Sequence, residues 1–105
     1  MLGEFEQLVL LAIVREGSDA YGVTIRGAIV TQSRRDVSLA AVYKTLTRLE
    51  EKGFVVTQLG DPTPERGGRR KRYYTLTAAG GRSLRQSVEV LQRMARGLDL
   101  GLETS

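Results

Sequence analysis

Apolar residues along this chain repeat with helical spacing in four places and with strand spacing in two. The sharpest case is Leu39, Val42, Leu46 and Leu49, which recur at intervals of three and four and so share one side of a helix. Ser38 suits its N-cap, because a serine hydroxyl can accept from an otherwise unpaired backbone N–H. Gly53 suits its C′ position, where a left-handed residue closes the helix, and Lys52 suits the negative end of the helix dipole. Upstream, Phe5, Leu8, Val9, Ala12 and Ile13 predict a helix over Glu4–Arg15, ended by Gly17. A second helix follows, capped by Ser18 or Asp19, with Tyr21, Ile25, Ala28 and Ile29 as its inner face. Gly22 and Gly27 weaken that helix by roughly 1 kcal/mol each relative to alanine, and permit close packing or close approach to a phosphate. Residues 34–37 are a short connector, with a minor strand around Val37.

Beyond Gly53 the period changes. Val55–Leu59 is β-branched and apolar enough for a strand, and 60–68, with Pro62 and Pro64, reads as an exposed loop. Arg70–Leu76 reads as a second strand. Its alternation puts Arg72, Tyr74 and Leu76 on one side, the core side, and Lys71, Tyr73 and Thr75 on the other. After the hairpin, Thr77 caps a final helix from Ala78 to about Leu98. Its Leu84, Val88, Leu91, Ala95 and Leu98 follow the four-three spacing of a coiled-coil seam. A lone helix exposing such a stripe invites a second copy, with Phe5 of the first helix as a co-packer; the bland alternative is a helix folded back on its own domain.

The order helix, helix, helix, strand, strand is that of a winged helix-turn-helix. The expected fold is mainly α with a small β-hairpin: a winged-helix domain over residues 1–76, then a C-terminal dimerisation helix and tail over 77–105.

Charge then gives these elements a purpose. The 105 residues carry a net charge of +4 and an isoelectric point near 9.9, which favours a polyanionic partner. The excess is local, because Arg66, Arg69, Arg70, Lys71 and Arg72 crowd the hairpin tip. Such crowding repels itself unless an anion is near, and arginine suits phosphate forks and narrow minor grooves. Ala41, Lys44, Thr45 and Arg48 are expected opposite the leucines of the third helix. There Lys44 and Arg48 reach phosphates or guanine edges, and Thr45 reaches a phosphate or a thymine methyl. Tyr43 lies on the flank with its hydroxyl available to a phosphate. A solubilising loop and a solvated helix face are the plain alternatives, and Glu50 and Glu51 favour the second.

Other chemistry is poorly served. The chain has no cysteine and no histidine. That removes thiol switches, disulfides, most zinc sites and the commonest general base. The carboxylates are scattered, no phosphate-binding glycine loop follows a strand, and no segment is long and apolar enough to span a membrane. The expectation is no enzyme, no cofactor, no metal and a cytoplasmic location.

Several local runs carry a resemblance. Ala20-Tyr21-Gly22 opens the second helix, Val42-Tyr43, Leu46, Arg48-Leu49-Glu50 and Gly53 lie in the third, and Gly68 to Thr77 form the wing. In these the chain resembles the PadR family of bacterial transcriptional regulators, from Leu2 to about Leu100. The resemblance implies a homodimeric cytoplasmic regulator, usually a repressor. It places DNA contacts in the third helix and wing, and dimer contacts in the C-terminal helix. It also implies release from DNA by a small-molecule effector, often bound at the dimer interface. Two departures stand out: Lys44 occupies a common proline position, and Ala40-Ala41 a common Gly-Thr.

The expected partner is therefore double-stranded operator DNA with an inverted repeat. Ser38, Ala41, Tyr43, Lys44, Thr45 and Arg48 would read it, and the wing cations and the second-helix residues Tyr21 and Gly22 would hold the backbone. A protein-interaction module that does not bind specific DNA is the alternative. RNA binding is weaker, because Tyr73 is the single exposed stacking platform expected.

Overall fold

The structure is a computed structural model and describes residues 2–61 and 70–101. Helices α1 (Glu4–Glu16), α2 (Gly22–Ser33) and α3 (Leu39–Glu51) are followed by strands β1 (Val55–Leu59) and β2 (Arg72–Leu76) and by helix α4 (Ala78–Ala95). The strands pair antiparallel, with Val55 opposite Leu76 and Leu59 opposite Arg72.

Helix α1 is the central element, touching α2, α3, β2 and α4. A helix surrounded on so many sides buries a wide arc. Leu10, outside the face expected from spacing, is accordingly fully buried beside Val9, Ala12 and Ile13. Leu2 before α1, Ala20 before α2, Ile25 and Ile29 of α2, Val42, Leu46 and Leu49 of α3, Val55, Tyr74 and Leu84 complete the core.

The caps show why each helix starts and stops. Gly3 N–H donates to Glu6 Oε1 at 2.8 Å, and Gly17 at φ +58° ends α1. Neither Ser18 nor Asp19 caps α2. Both lie in a 3-10 turn, Gly17–Asp19, and Tyr21 takes the cap position. Thr24 supplies the side-chain oxygen from inside the helix: it accepts from Tyr21 N–H at 3.0 Å, and its hydroxyl donates to the Asp19 carbonyl. Arg34 closes α2 in the left-handed region at φ +59°, unusual for a residue with a β-carbon. Ser38 caps α3 as expected, its Oγ accepting from Ala41 N–H at 3.0 Å, and Gly53 (φ +77°) turns the chain into β1.

No strand forms around Val37; its carbonyl accepts from Arg26 Nε at 2.7 Å instead. The extra sheet partner is the segment before α2. Tyr74 N–H donates to the Ala20 carbonyl at 2.8 Å, and Tyr21 forms an antiparallel bridge with Tyr73.

Thr77 joins three elements. Its Oγ accepts from Gly80 N–H at 3.0 Å to cap α4, its hydroxyl donates to the Gly53 carbonyl at 2.7 Å, and its N–H donates to Phe54 O at 3.0 Å. Gly80 must be glycine, because a β-carbon there would overlap the Phe54 carbonyl oxygen.

Helix α4 ends at Ala95, short of the expected Leu98. Its apolar stripe divides. Leu84, expected in a dimer seam, is 7% exposed within the core, and Val88 and Phe5 pack partly against that core. The distal end is open: Leu91 is 60% exposed and Leu98 62%. Heptad spacing identifies the stripe but not where the parent domain stops covering it.

Candidate nucleic-acid interface

The outward surface of α3 is built on the four residues it turns inward, Val42, Thr45, Leu46 and Leu49. With Val42, Leu46 and Leu49 fully buried, Ala40, Tyr43, Lys44, Thr47 and Arg48 are exposed, and Ala41 is half-buried. Lys44 and Arg48 form no ion pair among the described residues, so both cations face solvent one helical turn apart. Ser38 is exposed at the amino end, its oxygen engaged by Ala41 N–H.

Thr45 is a correction. It is 5% exposed and faces the core, so it offers nothing to a groove. Its position three residues after Val42 and four before Leu49 already places it on the buried side. The threonine on the open face is Thr47, which sequence reasoning missed and which lies three residues after Lys44; its hydroxyl donates to the Tyr43 carbonyl at 3.0 Å.

Gly22 is a second correction. It is buried, and a β-carbon there would come within 2.7 Å of Tyr43 Cε1 and closer still to the phenol oxygen. The glycine therefore serves close packing of α2 on α3 and is closed to a phosphate. Gly27 meets nothing within 4 Å, so packing does not account for it. Tyr21 is half-buried, with its ring directed at the hairpin.

In the wing, Arg70, Lys71 and Arg72 are exposed on and beside β2. Arg72 Nη1 donates to Thr57 Oγ1 across the strands at 3.4 Å. Arg66 and Arg69 lie outside the described residues, as do the two loop prolines. Tyr73 is half-buried and packed edge-on against Tyr21, so it is no open stacking platform. Tyr74 faces the core as expected. Burial raises its phenol pKa above the ordinary 10.0; nearby Arg72 opposes this, and Glu50 and Tyr43 add to it.

The carboxyl end of α3 is tied down by an element the spacing rules did not connect to it. Lys52 Nζ donates to Glu6 Oε2 at 2.7 Å, and the Glu6 side chain is 8% exposed. Burial alone would raise the Glu6 pKa. The hydrogen bonds from Lys52 and Gly3 N–H and the positive charges of Lys52 and Arg48 outweigh it, and hold the carboxyl below its ordinary 4.5. A carboxylate in a helix first turn commonly only faces the dipole; nothing in the spacing marks this one as buried.

The chain that builds this open cationic helix and basic hairpin matches the model of the transcriptional regulator PadR-like family over residues 10–86. The chain belongs to that family. PadR-like proteins are DNA-binding transcription regulators and not enzymes. None of the curated proteins is detectably similar in sequence. Among solved structures, a PadR family transcription regulator from Clostridium difficile R20291 is similar with a TM-score of 0.68 and 23% identity, over 89% of this chain and 95% of that one. One from Eggerthella lenta DSM 2243 has a TM-score of 0.67 and 23% identity, over 97% and 88%. A PadR-like transcription factor from Bacteroides fragilis has a TM-score of 0.70 and 22% identity, over 86% and 82%. At these identities the likeness concerns the fold. It agrees with the expected α+β winged helix of four helices and one hairpin. No helix among the described residues is long and apolar enough to cross a membrane.

Proposed function

We propose that this chain is a cytoplasmic homodimeric repressor that reads an inverted repeat in double-stranded DNA. The observation that carries this is the exposed surface of α3, where Lys44 and Arg48 face solvent with no contact ion pair among the described residues, within a helix otherwise locked to the core. Lys44 and Arg48 hydrogen-bond base edges or flanking phosphates, Thr47 and Ala41 meet the groove floor, and Ser38 and Tyr43 contact the backbone at the helix margin. Arg70, Lys71 and Arg72, with Arg66 and Arg69, supply wing contacts that add affinity whatever the sequence.

In functional terms the chain divides near Thr77. Residues before it carry the DNA surface, and the distal half of α4 carries the dimer contact. Leu91 and Ala95 form the seam, with Leu98 just beyond the end of α4, while Leu84 and the inner side of Val88 stay with their own core. Leu11 and Val14 of α1, exposed beside α4, extend the apolar surface as co-packers. The groove between α1 and α4, about 420 Å³, has Leu11, Val14, Leu84 and Val88 along one part and Arg85, Glu89 and Gln92 along another, which supports a small-molecule effector with apolar and polar parts at the dimer interface. An effector wedged there changes the spacing of the two α3 helices and lowers operator affinity.

Selection of bound duplexes from a random pool, followed by titration across salt concentrations, tests the reading. An enriched inverted repeat is expected. Neutralising Arg70 and Arg72 lowers affinity for all sequences and flattens the salt dependence, whereas Lys44→Ala or Arg48→Ala alters base preference by about 1–3 kcal/mol for each base interaction removed. Duplex binding that both sets of substitutions leave unchanged refutes it.

A further inference from the structure

Three tyrosines connect the outward face of α3 to the neck of the wing. The Tyr43 phenol lies against Gly22 at the start of α2. The preceding residue, Tyr21, presents its ring to β2. Its centroid is 5.6 Å from that of Tyr73, with planes at 77°, and Lys71 Nζ sits 4.6 Å from the Tyr21 centroid. Lys71, just before β2, and Tyr73 are two residues apart, and both side chains meet this ring. The backbone reinforces the contact through the Tyr21–Tyr73 bridge and the Tyr74 N–H to Ala20 carbonyl bond. Just past the end of β1, Gly60 N–H donates to the Lys71 carbonyl at 2.8 Å, and a β-carbon on Gly60 would lie 2.6 Å from Tyr73 Cε2. The Tyr73 ring thus lies across the hairpin neck, and Tyr21 holds it there.

A two-stranded ribbon has little stiffness of its own. Its angle to the rest of the domain is set by what grips its side. The grip falls on Lys71 and Tyr73, which flank Arg72, the last paired residue of β2 before the basic tip. The geometry points to Tyr21 as a positioning residue: its ring sets the angle of the wing relative to α3, and so determines how many wing cations reach phosphate while Lys44 and Arg48 occupy the groove. The effect is that of the ring and not of the hydroxyl, which distinguishes it from a direct phosphate contact. The inference rests on the DNA-binding reading above and deepens it.

The test compares wild type, Tyr21→Phe and Tyr21→Leu in the full chain on the selected duplex, with affinity measured across salt concentrations. Tyr21→Phe keeps the ring and is expected to keep the salt slope. Tyr21→Leu is expected to flatten the slope by about 0.9 for each phosphate the wing stops neutralising, which is roughly tenfold in affinity per phosphate at 0.1 M salt. The preferred bases should remain those of wild type, because α3 is untouched. A role in general folding alone would leave the slope where it is.

A second readout uses the free protein. The Lys71 ε-protons should be shifted upfield by the Tyr21 ring in wild type and Tyr21→Phe, and return to ordinary values in Tyr21→Leu. If Tyr21→Leu fails to fold, Tyr73→Leu removes the partner ring from the wing side and should flatten the slope in the same way. Equal flattening by Tyr21→Phe and Tyr21→Leu would assign the hydroxyl to phosphate and overturn the inference. So would a folded Tyr21→Leu protein whose salt slope equals that of wild type, whatever its Lys71 shifts. If wild type binds no duplex, the DNA reading fails, while the Lys71 shifts still decide whether the ring grips the wing.

Discussion

Two adjacent glycines in α4 should respond to alanine in opposite directions. Both stand in the first turns of one helix, where replacing glycine by alanine gains about 1 kcal/mol from helix propensity alone. At Gly81 nothing lies within 4 Å of the added carbon, so the gain stands. At Gly80 the added carbon overlaps the Phe54 carbonyl oxygen and comes within 2.9 Å of its carbonyl carbon and 3.1 Å of its Cα. These are backbone atoms at the entry to β1, with no rotamer to yield. The start of α4 must move away, which disturbs the Thr77 N–H to Phe54 carbonyl bond at 3.0 Å and the Thr77 hydroxyl to Gly53 carbonyl bond at 2.7 Å. Overpacking of this kind costs about 1–3 kcal/mol, and one hydrogen bond about 1 kcal/mol. Against the propensity gain, Gly80→Ala should destabilise by about 2 kcal/mol. For a domain of this size 1 kcal/mol moves Tm by roughly 4–8 °C. Gly80→Ala should therefore melt roughly 10 °C below wild type and Gly81→Ala several degrees above it, measured by circular dichroism at one fixed protomer concentration, since association would shift both. Gly27→Ala, also without neighbours within 4 Å, serves as a second stabilising control. Equal melting temperatures for the two α4 variants, or a Gly80→Ala protein as stable as wild type, would refute the packing argument.

Other outcomes follow from single contacts. The Glu6 pKa is lower folded than unfolded, so its bridge to Lys52 contributes stability above the unfolded value near 4.5 and loses it as pH falls through the folded value. Urea titrations should show wild type losing more stability than Glu6→Gln below that value; at neutral pH Glu6→Gln should cost about 1 kcal/mol, discounted because Lys52 is 39% exposed. Thr45→Val should leave the selected operator sequence unchanged while Thr47→Ala alters it, as pool selection would show; the reverse would return Thr45 to the interface. Leu84→Ala should destabilise each protomer by about 2–5 kcal/mol, whereas Leu91→Glu should spare the protomer fold and shift sedimentation to the monomer. A monodisperse dimer of Leu91→Glu would move the seam elsewhere.

Local rules were enough to name the elements. Ser38 and Thr77 were legible as caps because their chemistry acts within a few residues, and so was the Gly53 stop. The apolar spacing of α3 was legible because a lone row of leucines has one way to be buried. The reading failed wherever a residue answered to a distant partner. Ser18 and Asp19 look like caps, yet Thr24 supplied the oxygen from within α2, and the extra sheet pairing fell to Ala20 and Tyr21 instead of Val37.

What the sequence by itself determined is therefore the element order, the winged-helix class and the basic character of α3 and the wing, all encoded in period, caps and charge within short windows. The tertiary structure alone decided which side chains remain on the surface. It closed Gly22 beneath Tyr43, drew Glu6 into a buried bridge with Lys52, and covered Leu84 while leaving Leu91 open. The physical reason is that burial is a property of the packed whole. How wide an arc each helix hides depends on how many neighbours surround it, and those neighbours come from far along the chain.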